Sequence, residues 1–335
     1  NNYKLINSWG HFGYFISIFL LLPIAVFFIA NKISKIIFFE KIQPFVLPFL
    51  NFFFFFFYLN IALFAGFSWM RTFIVFGMAA LLAFLLLKYF KKIVVFQFLL
   101  AVIGVFTLAP VVSKQLNYSK EWLKQPDAIE TALFKKKPNI YFIQPDGYVN
   151  FSEFENYLKE NNFKTYTDFR SNYGATLPSN SATFMMKHHY YNNGSSFTET
   201  INARNVIITE NSVLKALKNN NYRTFFLTEQ PYLLANKPKM GYNFSNFNLK
   251  EIEFITKGIG KPRDVIEPFQ NYLETYTEGP NFFFVEIFNP GHIINRKAES
   301  KGVAGEREHY IESLKEANRK LTDLTTTILR NDPEA

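Results

Sequence analysis

Two side chains, Asp146 and Thr176, have the types and surroundings that handling a charged group requires. Asp146 closes the strand-like stretch "NIYFIQPD" and is followed at once by Gly147. Thr176 lies in "SNYGATLPSNSATFMM", where Gly174 permits a tight turn and Pro178 suits the first turn of a helix. A hydroxyl at a helix N-terminus sits at the positive end of the helix dipole, beside free N–H groups. Those favour negative charge, whether on an alkoxide or on a bound phosphoryl oxygen. Taken alone, the same stretch also reads as a plain helix cap supplied by Thr176.

Other candidates follow the same logic with less support. Glu229 and Gln230 end the strand-like "YRTFFLT" and so stand at a second strand tip. His292, in "FVEIFNPGHIIN", is either a metal or substrate ligand or a polar loop residue. His188 and His189 follow the helix that Thr176 opens, and helix-terminal histidines more often answer the dipole than a metal. Arg170 and Lys187 are suited to pairing with a substrate phosphate, or to plain solvation.

The elements that position these residues alternate between strand and helix from Pro138 onward. "NIYFIQ", "FKTYTDF", "YRTFFLT" and "NFFFVEIF" read as strands. "FSEFENYLKENN" puts Phe151, Phe154 and Leu158 on one helical face, and "SVLKALKNN" and "VIEPFQNYLETY" read as helices. Residues 305–330 form a long helix carrying Ile311, Leu314, Ala317, Leu321 and Leu324. Apolar strands separated by helices predict an α/β layer fold with a mainly parallel sheet. Ligands of such sheets bind at the carboxyl ends of the strands, where Asp146 falls.

The chain before residue 113 is of another kind. Its apolar runs predict four membrane helices, near 10–31, 44–66, 70–88 and 93–112, since a bilayer core of about 30 Å takes roughly 20 apolar residues. Lys32, Lys35 and Lys41 lie between the first two, and Lys88, Lys91 and Lys92 between the last two. Excess lysine marks cytoplasmic loops, so the domain after the spans is expected outside the cytoplasm. No Asp, Glu, Lys or Arg within the spans lines a pathway, which argues against a transporter or channel. Residues 113–137 read as a connector, whose basic tip at 135–137 either meets anionic headgroups or forms a solvated turn. The formal charge of +9 does not point to nucleic acid, because many of the lysines flank apolar runs. With no cysteine, disulfides and thiolate metal sites are excluded.

Taken together, "PNIYFIQPDGY" and "SNYGATLPSNSATF" resemble the alkaline phosphatase/sulfatase superfamily. The layout resembles its membrane-anchored bacterial branch of lipoteichoic acid synthases, phosphoethanolamine transferases and sulfatase-like proteins. "ATLPSNSATF" is also similar to the nucleophile turn of nucleotide pyrophosphatases. The resemblance covers residues 138–330 and implies an alkaline phosphatase-like fold. It implies that Asp146 is a metal-ligand carboxylate, and that Thr176 is the nucleophile and a second metal ligand. One or two divalent ions (Zn, Mn, Mg or Ca) are implied with them. Such an ion lowers the hydroxyl pKa and neutralises charge on the phospho- or sulfo-group.

Two departures stand out. The Asp-His pair of the family, normally in "DHG", does not occur, and the sequence ends in "LRNDPEA". The domain is therefore expected to be incomplete at its C-terminal end, and a segment is expected before Asn1. Glu286 and Asn289 occupy places where the family has His or Asp. The function expected is a phospho- or sulfo-ester transferase or hydrolase of the bacterial inner membrane. It would act on lipid head groups or envelope glycans, with other envelope proteins as further partners. The alternative is an inactive sulfatase-like subunit of an envelope complex.

Overall fold

The computed structural model describes residues 9–35, 41–64, 68–116, 123–149, 152–166, 168–188, 203–235, 237–252, 262–291 and 302–335. The chain divides into two compact units, Trp9–Asn117 and Tyr118–Ala335.

In the first unit α1 (Trp9–Ile16) runs through a π-helical turn (Ser17–Leu21) into α2 (Leu22–Ile33). Then come α3 (Gln43–Phe64) and α4 (Trp69–Leu86), a 3-10 turn (Leu87–Tyr89) and α5 (Phe90–Leu116). Three helical runs, Gly13–Ile33, Gln43–Ile61 and Trp69–Thr107, are long and apolar enough to cross a membrane. Their outward rings suit hydrocarbon rather than water: Phe73 is 70% exposed, and Phe84 and Phe106 are 73% exposed. Helices α3 and α4 pack closely because Ala79 and Ala83 let the backbones approach under Phe52.

Where four helices were expected the described residues hold three apolar runs, because the last two join through the 3-10 turn. The third run is not straight. Phe76 meets both Phe49 and Phe53 of α3. Gln97 exchanges two hydrogen bonds with Asn51, which lies between those two rings, at 2.8 and 3.0 Å. In a straight helix residues 76 and 97 would lie about 31 Å apart. The chain therefore bends back at Leu87–Tyr89, and Lys88, Lys91 and Lys92 are exposed at the bend.

The second unit carries α6 (Ala128–Thr131), β1 (Ile140–Pro145), α7 (Ser152–Glu160), α8 (Thr176–Met185), α9 (Ala203–Ile208) and α10 (Ser212–Asn219). These lead to β2 (Arg223–Thr228), β3 (Phe244–Ser245), α11 (Ile266–Thr275), β4 (Asn281–Ile287) and α12 (Gly302–Asn331). The four strands are parallel, in the order β1-β4-β2-β3. Alternation along the strands splits the core between two faces. Phe226, Phe282 and Phe284 pack with Phe184 of α8, Ile207 and Ile208 of α9, and Leu214 and Leu217 of α10. Phe225, Leu227, Phe283, Val285 and Ile287 pack on the other face, with Phe269 of α11 and Leu321, Leu324 and Ile328 of α12. Both faces are covered, so the strands read as continuous apolar runs. Burying each of these phenylalanines stabilises by about 1.5–3 kcal/mol.

The expected strand "FKTYTDF" is not one. Among its described residues none pairs with the sheet, and Phe163, Tyr166 and Phe169 are exposed. Its aromatic and β-branched content satisfies strand propensity, but no sheet face accepts its side chains. Pro268 does not interrupt α11, because the helix starts at Ile266 and leaves the proline in the first turn. Phe151 lies outside the described residues. Lys135, Lys136 and Lys137 are exposed, while Phe134 beside them packs on Tyr222.

Candidate functional site

Asp146 is positioned by backbone. Its N–H donates to the Ile287 carbonyl at 2.8 Å, and its own carbonyl accepts from Gly291 N–H at 2.9 Å. The turn that follows requires glycine. Gly147 has φ +68°, and a Cβ there would lie 2.3 Å from the Gly291 carbonyl oxygen. Tyr310 of α12 donates to the Gly147 carbonyl at 2.7 Å. The carboxylate thus stands at the carboxyl end of β1, locked against the segment that leaves β4.

Thr176 comes to it from α8. Ala175 is extended and takes the cap position, which leaves Thr176 as the first helical residue. Its hydroxyl donates to Asp146 Oδ1 at 3.0 Å. The reading of Thr176 as a plain cap is therefore replaced, since the side chain is directed at the sheet. The approach to α8 is fastened by Ser179 Oγ, which donates to Asn172 Oδ1 at 2.7 Å and lies 2.9 Å from Ser171 Oγ. Gly174 has open space where a Cβ would be, so no close approach demands glycine there.

Beside this pair lies a carboxyl whose role the sequence did not announce. Glu286 of β4 is fully buried and pairs in register with Gln144 of β1 and Thr228 of β2. It accepts from Tyr232 Oη at 2.6 Å and from Thr228 Oγ1 at 3.1 Å. Burial pushes its pKa up to about 7; the two hydrogen bonds oppose that rise and the Asp146 charge adds to it. Tyr232 is itself raised, by burial first and by Glu286 second, with Asp146 contributing and Arg204 opposing. A lone Glu within the apolar run "NFFFVEIF" was the available signal, because such a carboxyl must be partnered or neutral.

The other expected site residues that are described make their contacts elsewhere or are exposed. Glu229 directly follows β2 but is buried, ion-paired to Lys320 of α12, and accepts from Phe288 N–H at 2.7 Å. Lys320 also donates to Asn289 Oδ1 at 2.6 Å. Both fasten the strand ends to α12. Arg170 is exposed. Lys187 Nζ donates to the Lys124 carbonyl at 2.5 Å, within the connector. His188 is exposed with its ring 5.7 Å from that of Tyr173. His189 and His292 lie outside the described residues.

Among the described residues no group of three or more His, Cys, Asp or Glu side chains is placed to hold a metal ion. The three side-chain oxygens of Asp146 and Thr176 fall short of the four to eight donors that Zn²⁺, Mg²⁺ or Ca²⁺ takes. These residues do not fit a resident ion by themselves. What they can do is pass a proton: the Thr176 hydroxyl is already hydrogen-bonded to a carboxylate, the arrangement of a nucleophile with its base. Comparison with protein-family models, with curated proteins and with solved structures finds no match for this chain.

Proposed function

We propose that the chain is a membrane-tethered phospho- or sulfo-ester transferase or hydrolase with Thr176 as nucleophile. The observation that carries this is the 3.0 Å hydrogen bond from Thr176 to Asp146, at the carboxyl edge of a parallel sheet and the first turn of a helix. As the Thr176 oxygen forms its bond to the phosphorus or sulfur of the ester, Asp146 takes the hydroxyl proton. The leaving alcohol takes that proton as its own bond to the centre breaks. The ester on Thr176 then passes to a second alcohol or to water. The amides of the first turn of α8 favour the charge that develops. The resemblance to the alkaline phosphatase/sulfatase superfamily supports the same assignment, and lipid head groups or envelope glycans are the substrates suited to a tethered site.

The lysines support an extracytoplasmic site. At the bend, Lys88, Lys91 and Lys92 would cost about 2.5–3.5 kcal/mol each at a bilayer centre. A bend at either surface avoids that cost, and the excess of lysine favours the cytoplasmic one. Helix α4, with 18 residues, then spans about 27 Å, and α5, with 27, about 40 Å. The chain has no cysteine, so Lys137→Cys gives a single reporter. Labelling by a membrane-impermeant maleimide in intact cells is expected, and protection from it would reverse the assignment.

Turnover of a chromogenic phosphodiester by the purified chain, with and without added divalent ion, tests the chemistry. Thr176→Ala and Asp146→Ala are expected to abolish it, with Thr176→Ser retaining part. Turnover unchanged in both alanine variants refutes the site. The second reading, a non-catalytic envelope subunit, is favoured by the missing third metal ligand among the described residues. It predicts no turnover with any ion.

A further inference from the structure

Helix α8 and strand β1 meet along a ladder of side-chain pairs. At its top Thr176 meets Asp146 at 3.0 Å. Lower down, the Phe184 ring meets the Phe142 ring edge-on, with centroids 6.1 Å apart. Residues 176, 180 and 184 lie on one helical face, and 146, 144 and 142 on one strand face. Four helical residues rise about 6 Å, and two strand residues rise about 6.6 Å, so the two series stay in step. The middle pair is therefore Asn180 over Gln144.

Both members of that pair are left wanting. Asn180 is 3% exposed, and its Nδ2 is buried without a hydrogen-bond partner. Gln144 Oε1 is likewise buried without one. By that register an unpaired donor and an unpaired acceptor share the level between the Thr176–Asp146 pair and the phenylalanine layer. Neither atom is bonded to the neighbouring Glu286 carboxyl, which accepts from Tyr232 and Thr228. Two orphaned polar groups so close to each other are costly. A guest that accepts from Nδ2 and donates to Oε1 satisfies both, and water is the smallest such guest.

We infer that Asn180 and Gln144 form a polar rung, closed by one buried water, that holds the first turn of α8 in register with the tip of β1. They are positioning residues. Without the rung the helix start shifts, and the Thr176 hydroxyl loses its line to Asp146. The inference rests on the proposed role of that pair, but its central claim, that the two amides act as a unit, stands apart from activity.

The test is a set of variants of the full chain in detergent: Asn180→Leu, Gln144→Leu, both together, Asn180→Gln, Gln144→Asn, and the transposed pair Asn180→Gln with Gln144→Asn. The midpoint of thermal unfolding and phosphodiester turnover are read for each. Each single leucine is expected to lower the midpoint by several degrees, and the double leucine by less than the sum, because neither amide is then stranded. The transposed pair keeps one donor, one acceptor and the total length, so it is expected to restore the midpoint that each of its single changes lowers. In turnover, the single changes are expected to lower kcat by roughly 100-fold with KM unchanged, the cost of a misplacement of about 1 Å. The transposed pair restores it. Additive midpoints with no rescue overturn the rung. A coupled rung with unchanged kcat overturns its positioning role. If the unaltered chain turns nothing over, the proposed reaction fails and the positioning role with it, while the midpoints still decide whether the amides are coupled.

Discussion

Replacing Glu286 by glutamine is expected to remove a pH dependence that this one carboxyl imposes on the soluble unit. Its pKa stands at about 7 in the folded chain against an ordinary value of 4.5, chiefly because burial disfavours the charged form. Between those values the group is neutral when folded and ionised when unfolded. The folded state then binds more protons, so stability falls as pH rises. The contribution is fully present below about pH 4.5 and is lost as pH passes about 7. At 1.36 kcal/mol per pH unit the interval is worth about 3 kcal/mol. For a unit of this size that is roughly 6–12 °C in unfolding midpoint. A glutamine side chain would keep groups for Tyr232 and Thr228 to bond but cannot titrate. The assay is protection of the β4 amides from hydrogen exchange, or the near-ultraviolet circular dichroism melt, of the full chain in detergent with EDTA between pH 4.5 and 7.5. The unaltered chain should lose stability across that range and Glu286→Gln should be nearly flat. Equal slopes for the two chains would refute the attribution to Glu286.

Gly147→Ala is expected to destabilise by more than the about 1–2 kcal/mol that a left-handed residue costs, because its Cβ would meet the Gly291 carbonyl oxygen at 2.3 Å. A melt should show the loss, and turnover should fall with it because the same turn carries Asp146. An alanine tolerated within about 0.5 kcal/mol, the range of an ordinary surface change, would mean the turn is not clamped. Lys320→Met strands the buried Glu229 carboxylate, since the two side chains are only 13% and 7% exposed. A loss of about 3–5 kcal/mol is expected from that single change. Adding Glu229→Gln should recover much of it in the same melt, and failure to recover would show that the pair acts through packing rather than charge.

The sheet was legible where strands are buried on both faces. "NIYFIQ", "YRTFFLT" and "NFFFVEIF" each carry a continuous apolar stretch, and they became β1, β2 and β4. β3 was not legible, because a two-residue strand leaves no period to read. Residues 163–169 misled for the opposite reason: the residue types suit a strand, yet no edge accepts them. The approach of Asp146 and Thr176 was implied by the family resemblance, whereas the helix start alone also read as a plain cap. Glu229 could not be separated from Asp146 by the same rule, because its partner Lys320 lies on α12, 91 residues on. The bend at Leu87–Tyr89 was foreshadowed by its lysines, while the Asn51–Gln97 pair that fixes it is a tertiary fact.

The register of the sheet explains why these polar groups depend on one another. On one face, Phe142, Phe284 and Phe226 lie side by side, and two residues later Gln144, Glu286 and Thr228 do the same. Asp146 then projects beyond the edge of the sheet. Each step toward the strand tips is thus a level layer, apolar first, then polar and buried, then charged. Helix α8 repeats the gradient in reverse, from Thr176 through Asn180 to Phe184. The middle layer carries the tension of this arrangement. It is largely buried, yet it holds an ionisable carboxyl and two amides with unmet hydrogen bonds. A protein stabilised only by its core would fill that layer with leucine and lose little. A layer of polar groups just beneath a hydroxyl and a carboxylate makes physical sense when the position of those two groups matters more than the last few kcal/mol of stability.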